Sequence, residues 1–163
     1  MTLLDQGAIE KYRKVSAEFT NSALIAQLRA FFDRKCTLAE LLDWVHEKVK
    51  WDNGQIDRHN DPLGILAYGR GRCGEFSILF TALCVAHGYR ARLVLDLTDH
   101  VWTEVWDEAK NRWVHVDPSE RRIDDPLMYE RDWKKSLSGV YAFENGKMED
   151  VTKSYKMDQS LGE

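Results

Sequence analysis

Three cysteines in 163 residues are too few, and odd in number, for a disulfide framework. Cys36, Cys73 and Cys84 therefore read as free thiols of a reducing compartment. No CxxC pair and no HExxH run occurs, so no metal site is expected, and no motif calls for a cofactor. Nor does any stretch approach the roughly 18–20 apolar residues of a membrane span. The opening Met1-Thr2-Leu3-Leu4-Asp5-Gln6 meets an acid too early for a secretory signal. These absences predict a cytoplasmic chain without a membrane partner. A basic run is missing too: net charge is −4 with the signs mixed, which argues against nucleic acid as a partner. Repeats and low-complexity segments are also lacking.

What is present suits one globular domain spanning 1–163, with 44% apolar and 31% charged residues. Residues 1–50 read as helical. Ala23, Leu24, Leu28, Phe31 and Phe32 recur at helical spacing. Thr37 with Glu40 forms a capping-box signature before Leu41, Leu42, Trp44, Val45 and Val49. Residues 51–72 hold four glycines, a proline and several Asp/Asn, which predicts a long functional loop. It leads into Gly71-Arg72-Cys73-Gly74-Glu75 and a catalytic core over 73–155. Phe76, Leu79, Phe80, Leu83 and His87 predict a helix with one buried face, ended by Gly88. Strands are expected over 91–97, 101–106 and 113–117, the last closed by Pro118. A hairpin is expected about Glu144-Asn145-Gly146-Lys147, between 140–143 and 149–155.

The second and third strands place chemistry. Pairing Trp106 with Asn111 sets Glu104 opposite Trp113, Trp102 opposite His115 and His100 opposite Asp117. Side chains alternate along a strand, so these residues share one polar, aromatic-rich face, with Val101, Thr103, Val105, Val114 and Val116 on the core face. Directly opposed residues lie about 4.5–5.5 Å apart at Cβ, within reach of an Asp–imidazole hydrogen bond. Cys73 opens a helix beside Arg72, a setting that favours thiolate. Nucleophile, base and orienter are then Cys73, His100 and Asp117, and the amide of Cys73 or Gly74 is placed to meet an oxyanion. Each piece alone has a plainer explanation: a structural cysteine, a satisfied histidine (as for His46, His59, His87 and His115), an Asp–Pro turn. The combination favours catalysis.

Gly71-Arg72-Cys73-Gly74-Glu75, Asp99-His100-Val101-Trp102-Thr103-Glu104-Val105 and Arg112-Trp113-Val114-His115-Val116-Asp117 resemble the core of the cytoplasmic peptide:N-glycanase family. That family lies within the transglutaminase-like cysteine-protease superfamily. Arg58-His59-Asn60-Asp61-Pro62, Tyr129-Glu130, Trp133-Lys134-Lys135 and Val151-Thr152-Lys153-Ser154-Tyr155 extend the resemblance. It implies an α+β, papain-like fold in which N-terminal helices and a nucleophile helix pack on an antiparallel sheet. Cys73, His100 and Asp117 are its implied catalytic residues; Arg92, Trp102, Glu104, Trp113 and Glu120 shape or line its cleft. Cross-strand packing is the alternative for Trp102 and Trp113, and a structural ion pair for Arg92 and Glu104. The implied substrate is a glycoprotein or peptide amide. The alternatives are a transglutaminase, a glutamine deamidase, a cysteine peptidase, or a non-catalytic binding module on the same fold.

The sequence departs from that family in three places. The two CxxC pairs of its zinc lobe are missing between Trp51 and Leu66. Phe76 stands where tryptophan is usual, and Pro118-Ser119 precedes Glu120 where a cysteine is common.

Overall fold

A computed structural model describes residues 1–158. Three helices open the chain: α1 (Leu3–Glu18), α2 (Ser22–Arg29) and α3 (Leu38–Lys48). Their starts follow local chemistry. Thr2 with Asp5 and Thr37 with Glu40 close capping boxes, and the Asn21 side chain accepts from the amide of Leu24.

The expected loop over 51–72 is not structureless. It contains helix α4 (Pro62–Tyr68), capped by Asp61, opened by Pro62 and stopped by Gly69 at φ 75°. Around it, β1 (Lys50–Trp51) pairs in parallel with β2 (Arg70–Gly71), tying the two ends together. The punctuating residues read as loop signals are the caps of a seven-residue helix.

Helix α5 (Cys73–Ala86) follows, with Gly88 at φ 87° just beyond its end. It is buried on every side from Gly74 to Cys84, not along one face. The sheet covers one flank while α2, α3 and α4 cover the rest, which explains its almost unbroken apolar sequence.

The remaining chain builds a sheet of six strands among the described residues: β3 (Ala91–Asp96), β4 (His100–Asp107), β5 (Arg112–Asp117), β6 (Arg122–Ile123), β7 (Val140–Glu144) and β8 (Lys147–Asp150). The order is β6-β5-β4-β3-β7-β8, antiparallel throughout. The Asn145-Gly146 turn carries φ 51° and 80°, the two positive values a tight hairpin turn needs. Its second strand ends at Asp150, and Thr152–Tyr155 is a 3₁₀ turn. Between β6 and β7 lies a short helix, α6 (Met128–Arg131).

The β4–β5 register differs from the expected one by two residues. Trp106 faces Trp113 and Glu104 faces His115. The four-residue loop is Glu108 to Asn111, because Asn111 takes a left-handed φ of 54° and the Asp107 side chain accepts from the Lys110 amide. A shift of two keeps every side chain on its expected face, so His100 and Asp117 still share one.

Both faces of the sheet are buried. Toward α5, Val101, Val105 and Val116 join the main core, and Ser77 and Thr81 of α5 bond Val101 O and Thr103 Oγ1 at 2.9 Å each. The other face, expected to be a polar surface, is covered by α6 and the segment after it. There Trp102, Met128, Tyr129, Leu137, Val140 and Tyr155 form a second core.

Candidate active site

The start of α5 is held from three directions. Glu75, 1% exposed, accepts from the backbone amide of Arg72 at 2.9 Å and from Arg58 Nε and Nη2 at 3.0 Å each. A Cβ at Gly71 would lie 2.4 Å from Glu75 Cβ, so only glycine lets β2 pass this close. Cys73 therefore enters the first helical turn on a fixed backbone. In that turn the amides of Cys73 and Gly74 have no carbonyl one turn back to bind, and the helix dipole favours negative charge beside them. The Cys73 thiol is partly exposed.

His100 begins β4 and Asp117 ends β5, at the same end of the sheet. Asp117, fully buried, accepts from His100 Nε2 at 2.8 Å. Because Nε2 serves the carboxylate, Nδ1 is the nitrogen left for Cys73, whose thiol lies 4.0 Å from the backbone oxygen of Asp99, the residue just before His100. Burial disfavours the imidazolium, yet Asp117 and the Cys73 sulfur together raise the His100 pKa to about 9. For Asp117, burial pushes upward, but hydrogen bonds from His100, Tyr129 and the Glu120 amide hold it below the usual carboxylate range. The loop before His100 is pinned by Lys135, which pairs with Asp96 at 2.9 Å and Asp99 at 3.1 Å. Trp133 sets its ring edge-on to His100, centroids 5.0 Å apart.

The structure thus brings together the three groups singled out from sequence. The five other named residues separate. Arg92, Glu104 and Trp113 line one cavity of about 490 Å³, together with His115 and Tyr155. Arg92 Nε pairs with Glu104 at 2.7 Å, and its guanidinium lies 3.9 Å over the Trp113 ring. Trp102 has no exposed surface; it stacks on Tyr129 with centroids 4.2 Å apart. Glu120 is exposed, and it is its backbone amide that reaches the site, 3.2 Å from Asp117 Oδ1.

Three residues to which the sequence reading gave no part in the site meet it through hydrogen bonds. Ser119 donates to Asp117 Oδ1 at 3.1 Å, Tyr129 donates to Oδ2 at 2.7 Å, and His115 reaches the Tyr129 hydroxyl at 2.7 Å. Tyr129 comes from α6, twelve residues after Asp117, where no local spacing could foretell the contact. Among the described residues, no group of three His, Cys, Asp or Glu side chains is placed to hold a metal ion.

Residues 23–118 match the family model of the transglutaminase-like superfamily, and the chain belongs to that superfamily. Residues 97–163 match the model of the Rad4 transglutaminase-like domain. Among curated proteins, the chain is similar to the peptide-N(4)-(N-acetyl-beta-glucosaminyl)asparagine amidases. It is 50% identical to that of Gallus gallus over 101 residues, 62% of this chain and 16% of that one. With the Homo sapiens protein it shares 46% over 103 residues, 63% of this chain and 16% of that one. With the Arabidopsis thaliana protein it shares 46% over 101 residues, 62% and 14%. The match therefore spans under a fifth of each of these three relatives. Rad4–Rad23 bound to a 6-4 photoproduct UV lesion shares the fold, with a TM-score of 0.57 at 15% identity over 96% of this chain and 46% of that one.

Proposed function

We propose that the chain is a cysteine amidohydrolase that cleaves the asparagine side-chain amide of N-glycoproteins through a thioester. The observation that carries this is His100, bonded at 2.8 Å to a buried carboxylate and facing a thiol at a helix N-terminus. The relatives named as asparagine amidases, 46–50% identical across this region, support the substrate class.

In this mechanism the Cys73 thiolate attacks the amide carbonyl carbon, and the developing oxyanion meets the Cys73 and Gly74 amides. His100 Nδ1 passes its proton to the departing glycosylamine as the C–N bond breaks, leaving an aspartyl thioester on Sγ. The imidazole, now neutral, takes a proton from water as that water attacks the thioester. Aspartate leaves, and thiolate and imidazolium are restored. Asp117 holds the ring and stabilises its charge throughout. Arg92, Glu104 and Trp113 line a cavity at the hairpin end of β4 and β5, apart from the catalytic three, where a more distant part of the sugar or peptide would rest, while Trp102 and Glu120 shape the site from behind it. Three free cysteines suit a reducing compartment, taken here to be the cytoplasm.

The test is incubation of a denatured, N-glycosylated protein with the wild type and with Cys73→Ala, followed by mass spectrometry. Glycan loss with asparagine becoming aspartate, absent in the variant, is the expected result. Equal release by Cys73→Ala would overturn the mechanism. Incorporation of a primary amine in place of hydrolysis would make the protein a crosslinker instead.

A further inference from the structure

Asp117 receives four hydrogen bonds: Oδ1 from Ser119 Oγ and the Glu120 amide, Oδ2 from His100 and Tyr129. The bond from Tyr129 belongs to a directed chain. The amide N–H of Asp125 can only donate, and it points at His115 Nδ1 at 3.2 Å. His115 Nδ1 is therefore the acceptor and Nε2 carries the proton. Nε2–H donates to the Tyr129 hydroxyl at 2.7 Å, which leaves that hydroxyl's own proton for Asp117 Oδ2, also at 2.7 Å. Every side chain on this path is buried: His115 3% exposed, Tyr129 and Asp117 fully enclosed. With no solvent to compete, the polarity of each bond is fixed by the one before it.

We propose that Tyr129 and His115 are positioning residues: a one-way relay from the Asp125 amide through His115 and Tyr129 locks Asp117 as an acceptor aimed at His100. Without the Tyr129 proton, Oδ2 would lose the donor that fixes its angle, and the carboxylate could turn toward Ser119. His115 acts at one remove, since its proton decides which way the tyrosyl hydroxyl points. Its charge state is constrained by its surroundings: Asp117, Asp124 and Asp125 favour the cation, His100 opposes it, and burial outweighs them, keeping His115 neutral. Tyr129 likewise stays protonated, chiefly through burial and then through Asp117. The relay thus keeps one arrangement across the working pH range.

The inference rests on the assignment of Cys73, His100 and Asp117 as a catalytic unit, so its test needs a readout independent of substrate. Tyr129→Phe removes one oxygen and keeps the ring stacked on Trp102. His115→Gln retains an N–H donor near the position of Nε2; His115→Leu does not. For each variant, three quantities are measured: kcat and KM on a denatured glycoprotein, the rate of Cys73 carbamidomethylation by peptide mass spectrometry, and the folded fraction. A hydrogen bond to a charged group corresponds to about ten-fold or more in rate. Tyr129→Phe and His115→Leu should each lower kcat and the Cys73 alkylation rate by about that factor, per folded molecule and with KM unchanged. His115→Gln should recover much of the loss. In wild type, the ring ¹⁵N signals of His115 should report the Nε2–H tautomer. Wild-type alkylation and kcat in Tyr129→Phe, a loss explained by unfolding alone, or indistinguishable His115→Gln and His115→Leu would each overturn the relay. If the wild type alkylates rapidly yet releases no glycan, the substrate assignment fails, while the alkylation series still decides the relay.

Discussion

His100 gathers most of the chemistry into one ring. Its folded-state pKa of about 9 exceeds the roughly 6.5 of an unfolded histidine, and the sign of the linkage follows. The pairing with Asp117 stabilises the fold fully below about pH 6.5 and stops doing so as pH rises through about 9. In the proposed mechanism the same proton is the one delivered to the leaving amine, so kcat should fall along an alkaline limb near pH 9, measurable as a pH–rate profile. In Asp117→Asn the amide cannot stabilise the imidazolium. The expected outcome is a loss on the order of 10⁴-fold in kcat, with the His100 titration moving to lower pH in an NMR experiment. At this scale the sequence was informative where residue types are chemically exclusive. A cysteine after Gly-Arg, a histidine after Asp and an aspartate before Pro pointed to one site. It gave Tyr129, Ser119 and His115 no part in the site, because their roles depend on what they touch; His115 was read as satisfied, and both its ring nitrogens do have partners.

Among the elements, the passage from β2 into α5 is the most tightly constrained. Glu75 fills the space beside Gly71 and bonds both the Arg72 amide and Arg58. Gly71→Ala would bring a methyl against Glu75 Cβ and Cγ, atoms too close to the backbone to swing away. It should destabilise the protein by about 1–3 kcal/mol, read from urea unfolding. Activity should fall further than the folded fraction explains, because the displaced element carries Cys73. The β4–β5 hairpin shows the limit of reading pairs from spacing. The strands and their faces were legible, since period-two alternation survives a shift of two. The register was not, because it turned on Asn111 accepting a left-handed conformation, which the residue type permits without demanding. Helix α4 was hidden for a related reason: Asp-Pro and Gly-Arg-Gly signal a turn and a helix cap equally well.

For the molecule as a whole, the sheet is the middle layer of two cores. The first was foreseeable, since α5 and the valine faces of β4 and β5 are plainly apolar. The second was not, because its members are scattered from Val94 to Tyr155 and separated by charged residues. It closes only when α6 and the last turn fold back across the sheet. Tyr155 is 1% exposed, packs 4.8 Å from the Trp102 ring and donates to Glu104. Tyr155→Ala should therefore cost about 3–5 kcal/mol, seen as a lower midpoint in thermal unfolding. The loss should reach the active site, because Trp102 stacks on the tyrosine that meets Asp117.

The open sheet also ends in a particular way. Its outermost strands are β6, two residues long, and β8, whose Lys147, Met148, Glu149 and Asp150 are all exposed. An unpaired strand edge is a template on which a second chain can zip and begin to aggregate. Here one rim is too short to serve as a template, and the other confronts any incoming strand with charged side chains at three of its four positions. The denatured glycoprotein proposed as substrate would arrive with its own unpaired segments, and blunted rims would let such a chain visit the cleft without being annealed to the sheet.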